Sequence, residues 1–264
     1  MRKYYGLLFL LLISSVSFAQ KWEVGGFAGS SGYMGDFNQV NPVKFTDFSI
    51  GAFVKHNFNG YFSAKLAYTY GKIKGADSLS SNQQLRNRNL SFFTPLNEVA
   101  LTGELNFFNY QPGISIKRWS PFIFAGVALV NYNPKTQYLG DVYELRSLKT
   151  EGQQKEYATN ALSVPYGVGV KVNFYRSWNL AMELGYRTAF TDYLDDVSGV
   201  YADKSSMDNG YSRILSDRSG EKNGIYIGST GSQRGDFRKR DTYMITGFSL
   251  SYTFISQKCP VVRQ

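Results

Sequence analysis

Two residue types that carry much of metal and thiol chemistry are nearly missing from this 264-residue chain, which has one histidine, His56, and one cysteine, Cys259. A lone cysteine in an oxidising compartment cannot form an internal disulfide, so Cys259 is either free or joined to another chain. GxSxG, HExxH, CxxC and Walker-type phosphate loops do not occur. Their absence removes the common hydrolase, metalloprotease, dithiol and nucleotide-binding readings. Beyond residue 20 there is no apolar run near the about 18 residues that a membrane helix needs, so any crossing of a bilayer falls to strands. Low-complexity linkers and repeats of solenoid length are also missing, and a single domain over 20–264 is expected.

The N-terminus is the one strongly apolar segment. In MRKYYGLLFLLLISSVSFAQ, Arg2 and Lys3 precede the run Leu7 to Ile13, with Ser17 and Ala19 three residues and one residue before the cleavage point. This is the pattern of a secretory signal peptide over 1–19, and no cysteine follows Ala19 to accept a lipid. What remains is rich in aromatics and glycine, with 20 Tyr, 20 Phe and 26 Gly in the full chain. That composition suits a β-rich envelope protein.

The stretch 163–187, SVPYGVGVKVNFYRSWNLAMELGYR, shows how. Val164, Tyr166, Val168, Val170, Val172 and Phe174 share one face of an extended strand, and Gly167, Gly169, Lys171 and Asn173 share the other. After Tyr175, Arg176 and Ser177 the alternation restarts from Trp178. Each half has the roughly 9 to 11 residues of a tilted membrane strand, with aromatics near both ends of its apolar face. The same period of two recurs in 21–30, 48–58, 62–70, 98–107 and 243–254, and 120–130 is a strand by its length and branched residues. The expected fold is all-β, an eight-stranded antiparallel transmembrane barrel. Its connections differ in length: 57–60 and 175–177 are short and 109–119 moderate, whereas 31–47, 71–97, 131–162 and 190–242 are long. Long external loops and short periplasmic turns follow.

An eight-stranded barrel is too narrow for an open pore and is filled by its own side chains. Lys65, Glu98, Glu104, Lys171, Glu183 and Arg187 fall on the polar faces, where a self-paired charge network is expected in preference to an ion path. His56 falls at the short-turn end, away from the long loops, and reads as structural. Asp192, Asp195 and Asp196 in TDYLDDVSG are weak candidates for a hard cation, since they lack EF-hand spacing and suit turn formation as well. Lys117, Arg118 and Arg176 gather with Lys21, Lys258, Arg263 and Cys259 at the short-turn end. A basic rim there could meet lipid phosphates or an acidic protein surface.

The segments EVGGFAGSSGYMGDFN, LNEVALTGELNFFNY, SPFIFAG, SVPYGVGVKV and RTAFTDYLDDVSGVYAD resemble the PorG-like (DUF6089-type) outer-membrane barrels of Bacteroidetes, which are linked to type IX secretion and gliding motility. The resemblance runs over nearly the whole mature chain. It implies a cell outer-membrane component that associates with a periplasmic ring of PorK and PorN type, with Lys117, Arg118, Arg176 and the tail around Cys259 as contacts. Three readings stand: a structural barrel of a secretion machine without cofactor, catalytic role, nucleic acid or small-molecule substrate; an outer-membrane enzyme or small-solute binder with its site in the external loops; and a soluble lipocalin-like barrel. The last requires the Val168 and Leu184 face to point inward.

Overall fold

The computed structural model describes residues 21–254 other than Ile114, Asp208 and Asn223. The signal peptide 1–19 and Cys259 lie outside the described residues. Ten strands follow one another: β1 (Lys21–Met34), β2 (Phe45–Asn57), β3 (Phe62–Ala76), β4 (Ser91–Asn106), β5 (Trp119–Tyr132), β6 (Lys135–Tyr138), β7 (Asp141–Glu144), β8 (Asn160–Tyr175), β9 (Trp178–Ala189) and β10 (Thr242–Phe254). Eight pair antiparallel in a ring, β1 to β5 in order, then β8, β9 and β10, with β10 returning to β1 from Trp22–Phe254 to Met34–Thr242. The sheet has no free edge, which a bilayer requires. The short pair β6–β7 belongs to the connection between β5 and β8.

The two faces separate as a lipid environment demands. Val168 and Val170 are about half exposed, at 53% and 50%, whereas Lys171 between Val170 and Val172 retains 2%. A soluble barrel would show the reverse, so the lipocalin-like reading falls. Aromatic pairs mark both margins of the apolar band, Phe48 with Tyr70 and Tyr166 with Tyr186 at the long-loop end and Trp178 with Tyr252 at the other. His56 sits in the second belt, its ring 4.7 Å from both Trp22 and Phe58.

Strand β5 is apolar on both faces because its inward aromatics fill the barrel. Phe122 and Phe124 are buried, while Ile123, Val127 and Leu129 face out. Glycines opposite make the room: a Cβ on Gly169 would collide with the Phe122 ring, and one on Gly25 would lie 2.6 Å from Phe53. The strands also run past the apolar band at the long-loop end, β3 to Ala76 and β4 from Ser91. Lys72, Lys74 and Ser91 interrupt the apolar face there, so hydrophobic alternation stops before the strand does.

Candidate functional site

Inside the barrel the cations and carboxylates form a connected group of six and a separate pair. Glu104 on β4 is its hub, with the ammonium groups of Lys171, Lys65 and Lys55 at 2.9, 3.4 and 3.5 Å and the Ser63 hydroxyl donating at 3.3 Å. Lys55 continues to Glu23 at 2.9 Å, Lys65 to Glu183 at 2.7 Å, and Arg187 lies 3.4 Å from Glu98. Glu98 also accepts from the Tyr243 hydroxyl. The structure thus brings Lys65, Glu104, Lys171 and Glu183 together, sets Glu98 and Arg187 as a pair nearer the long-loop end, and adds Glu23 and Lys55. Four cations face four carboxylates, so the interior carries no net charge from these groups. Rings supply further stabilisation, since Lys171 stands 4.6 Å from the Phe122 centroid and Lys65 5.4 Å from that of Phe124. The cavity among these residues is about 30 Å³. That is room for about one or two waters.

Both mouths are covered. At the short-turn end, the 107–118 connection folds beneath the barrel, where Tyr110 is 3% exposed and its hydroxyl donates to Asn179 Oδ1 at 2.7 Å. At the other end the four long connections build a cap over a continuous apolar core that includes Tyr33, Phe37, Leu90, Leu194, Val197 and Leu215. Two buried arginines tie the connections to one another. Arg88, in the short helix Gln83–Arg88, grips Asp77 at 2.7 Å and 2.8 Å and donates to the backbone oxygens of Asp36 and Arg234. Arg234 reaches Glu151 at 2.8 Å and the Asp196 carbonyl at 2.7 Å.

The three consecutive-loop aspartates do not act together. Asp196 has a left-handed backbone, φ 67°, which turns it away from Asp195. Its carboxylate accepts from Thr150 and from Tyr157, the latter at 2.6 Å. Asp195 accepts from Tyr33, whose hydroxyl also lies 3.0 Å from Asp241. Asp192 lies instead beside Asp36 and Asp241, with one oxygen of each within 4.8 Å of the others. That spacing could hold a hard cation through oxygen, and protons can meet the same repulsion. The Tyr33 hydroxyl thus stands between Asp195 and Asp241 and can donate to either.

The acidity of these groups follows. Burial, then Asp236, pushes Asp36 up to about 7, despite the opposing Arg88. Burial pushes Asp192 to about 6, with Asp236 and Glu151 adding to it. Burial also carries Asp196 to about 6 against the attraction of Arg234. Asp195 and Asp241 rise well above the usual carboxylate range by burial first, then by neighbouring aspartates. Raised folded pKa values mean that the cap binds more protons than its unfolded chain. The stability these aspartates contribute is therefore full below about pH 4 and is lost as pH climbs toward 7. Protection factors for amide exchange across 190–241 in the full chain, with the intrinsic base-catalysed rate divided out, should be higher near pH 5 than near pH 8, on the order of tenfold. Asp36→Asn should flatten that dependence, and protection factors that are equal at both pH values would refute it.

On the underside, Lys117 and Arg118 end the connection into β5, and Arg176 is in the β8–β9 turn, with all three exposed. The Arg118 carbonyl accepts from Asn173 N–H at 2.7 Å, which makes the two turns neighbours. The Thr253 N–H donates to the Ser177 carbonyl at 2.8 Å, bringing the end of β10 beside Arg176.

Residues 2–213 match the family described as a domain of unknown function, DUF6089. The chain belongs to that family. No curated protein matches it. Among solved structures, OprG from Pseudomonas aeruginosa aligns at 10% identity and a TM-score of 0.42, covering 90% of this chain and 97% of that one. Ail of Yersinia pestis, in complex with the heparin analogue sucrose octasulfate, aligns at 9% identity and 0.42, covering 90% and 100%. A major outer-membrane protein from Thermus thermophilus aligns at 13% identity and 0.40, covering 89% and 100%. The barrel of this DUF6089 chain rests on its own closed strand pairing.

In this DUF6089 member the residues that sequence reading missed are Arg88, Arg234, Asp36 and Asp241. Each sits in a long connection without periodicity, and the contacts that give Arg88 its meaning span between 11 and 146 positions of chain. Glu23 and Lys55 carried a signal, since both stand on the non-lipid face of an alternating strand.

Proposed function

We propose that this barrel is a structural component of an outer-membrane assembly and docks a periplasmic partner through its short-turn end. The observation that carries the reading is the adjacency of Lys117, Arg118 and Arg176 on two neighbouring turns, beside the exit of the last strand. The resemblance to PorG-like barrels makes a ring of PorK and PorN type the partner, and protein secretion of type IX the process. The filled lumen supports the reading, because the inward Phe122, Phe124, Lys171 and Glu104 are all buried and occupy the space a solute would need. The environment of His56 also supports a non-enzymatic role, since the imidazole lies among the rings of the lipid-side belt.

The test is charge reversal at Lys117, Arg118 and Arg176 together. Like-charge juxtaposition across an interface costs several kcal/mol, so recovery of ring proteins in a crosslinked pull-down from native membranes should fall by at least about tenfold, with cargo secretion falling too. Heat-modifiable gel migration should be unchanged. His56→Ala should alter neither property. Normal recovery and secretion in the triple reversal would transfer interest to the buried acidic cap, where an enzyme or solute-binding site in the external loops would have to lie.

A further inference from the structure

We propose that a cleft in the outer rim between β2 and β3 seats the phosphate headgroup of a membrane lipid. The ladder between these strands ends at Ser49–Gly71, although β2 begins at Phe45 and β3 continues to Ala76. Beside this end the β1–β2 register shifts, Ser31 facing Asp47 and Gly32 facing Phe45, so that Thr46 is an extra residue on β2. The Ser31 hydroxyl spans the gap to the carbonyl of Lys72 on β3. The opening is a cleft of about 350 Å³ whose lining includes Lys44, Lys72, Lys74, Phe45, Phe93 and Leu79.

Three features select the occupant. Lys72 and Lys74 continue the outward series Leu66, Tyr68 and Tyr70 of β3, so their ammonium groups stand just beyond the aromatic margin of the apolar band, at the depth of lipid headgroups. The cleft's three lysines meet one nearby carboxylate, Asp47, which lies 3.4 Å from Lys74. A net positive pocket at that depth favours an anionic headgroup. Its walls are apolar on the lipid side: Phe45 is 55% and Leu79 73% exposed, and Lys72 lies 4.4 Å from the Phe93 centroid. A ligand with a phosphate at one end and acyl chains at the other satisfies both the charge and the walls. A strand seam whose ladder has ended is costly in hydrocarbon and tolerable among phosphates and water, which fits the same placement.

The test uses the full mature chain in nanodiscs of phosphatidylcholine doped with phosphatidylglycerol, with retained lipid read by native mass spectrometry. Wild type should retain phosphatidylglycerol over phosphatidylcholine by on the order of tenfold. The triple variant Lys44→Gln, Lys72→Gln, Lys74→Gln should lose the preference. A second triple, Lys155→Gln, Lys222→Gln, Lys239→Gln, makes the same change in charge on exposed loop lysines and should keep it. Heat-modifiable migration confirms that each variant is folded, and the wild-type preference alone keeps the proposal falsifiable if one is not. The proposal is overturned by equal retention of both lipids in wild type, by a preference that survives the first triple, by equal loss in both triples, or by full displacement with inorganic phosphate, which would mark a site for the free ion.

Discussion

Glu104→Ala is expected to destabilise the barrel by about 3 to 5 kcal/mol, the cost of stranding buried charge. Three ammonium groups converge on this one carboxylate, which is 1% exposed, and Lys55, Lys65 and Lys171 are themselves buried, so they gain little water in compensation. Glu183→Ala should cost clearly less, because Glu183 meets only Lys65 among the ion pairs of the described residues and its side chain is 12% exposed. Urea unfolding from lipid vesicles, followed by the fluorescence of Trp22, Trp119 and Trp178, measures both. Equal losses in the two variants would show that the group does not act through a hub.

The second large effect lies on the opposite face. Val170→Arg should impair insertion by about 2 to 4 kcal/mol, the cost of a cation near the bilayer midplane. Val170 is 50% exposed and lies between Tyr166 and Phe174 on one face of β8, opposite Met182 of β9. Tyr175→Arg, at the short-turn margin, should cost no more than about 1 kcal/mol. The folded fraction in vesicles, read from unboiled gels, separates the two. Normal folding of Val170→Arg would mean that this face does not meet lipid.

The spanning strands were legible because a bilayer imposes the same alternation along each of them, and 163–187 displays it without interruption. The sorting of Lys171 inward and Val170 outward follows from that period alone. The hub could not be read this way. Glu98, Glu104 and Glu183 look equivalent along the chain, and only the ring order β4, β3, β2 on one side and β5, β8 on the other brings Lys55, Lys65 and Lys171 to the middle one. The cap was opaque for a different reason. Asp192, Asp195 and Asp196 are near neighbours in sequence, yet Asp196, with its left-handed backbone, meets Thr150 and Tyr157, while Asp195 meets Tyr33 and Asp192 lies beside Asp36 and Asp241. Arg88 and Arg234 have no local pattern, because what they organise is the meeting of four loops. Tyr110 is likewise one tyrosine among many until the 107–118 connection folds under the barrel.

The charged interior bears on how the sheet finds its closure. Glu104 stands on β4, while its partners come from β2, β3 and β8, and Glu23 on β1 accepts from Ser251 on β10 across the final seam. A seam closed two residues out would keep every side chain on its own face, since the faces of a strand alternate with a period of two, yet it would part Glu23 from Ser251. The outward residues distinguish such a slip poorly, because one apolar side chain in hydrocarbon is much like another. Discrimination of the seam's register therefore falls to the inward polar groups, which meet their partners in one register alone.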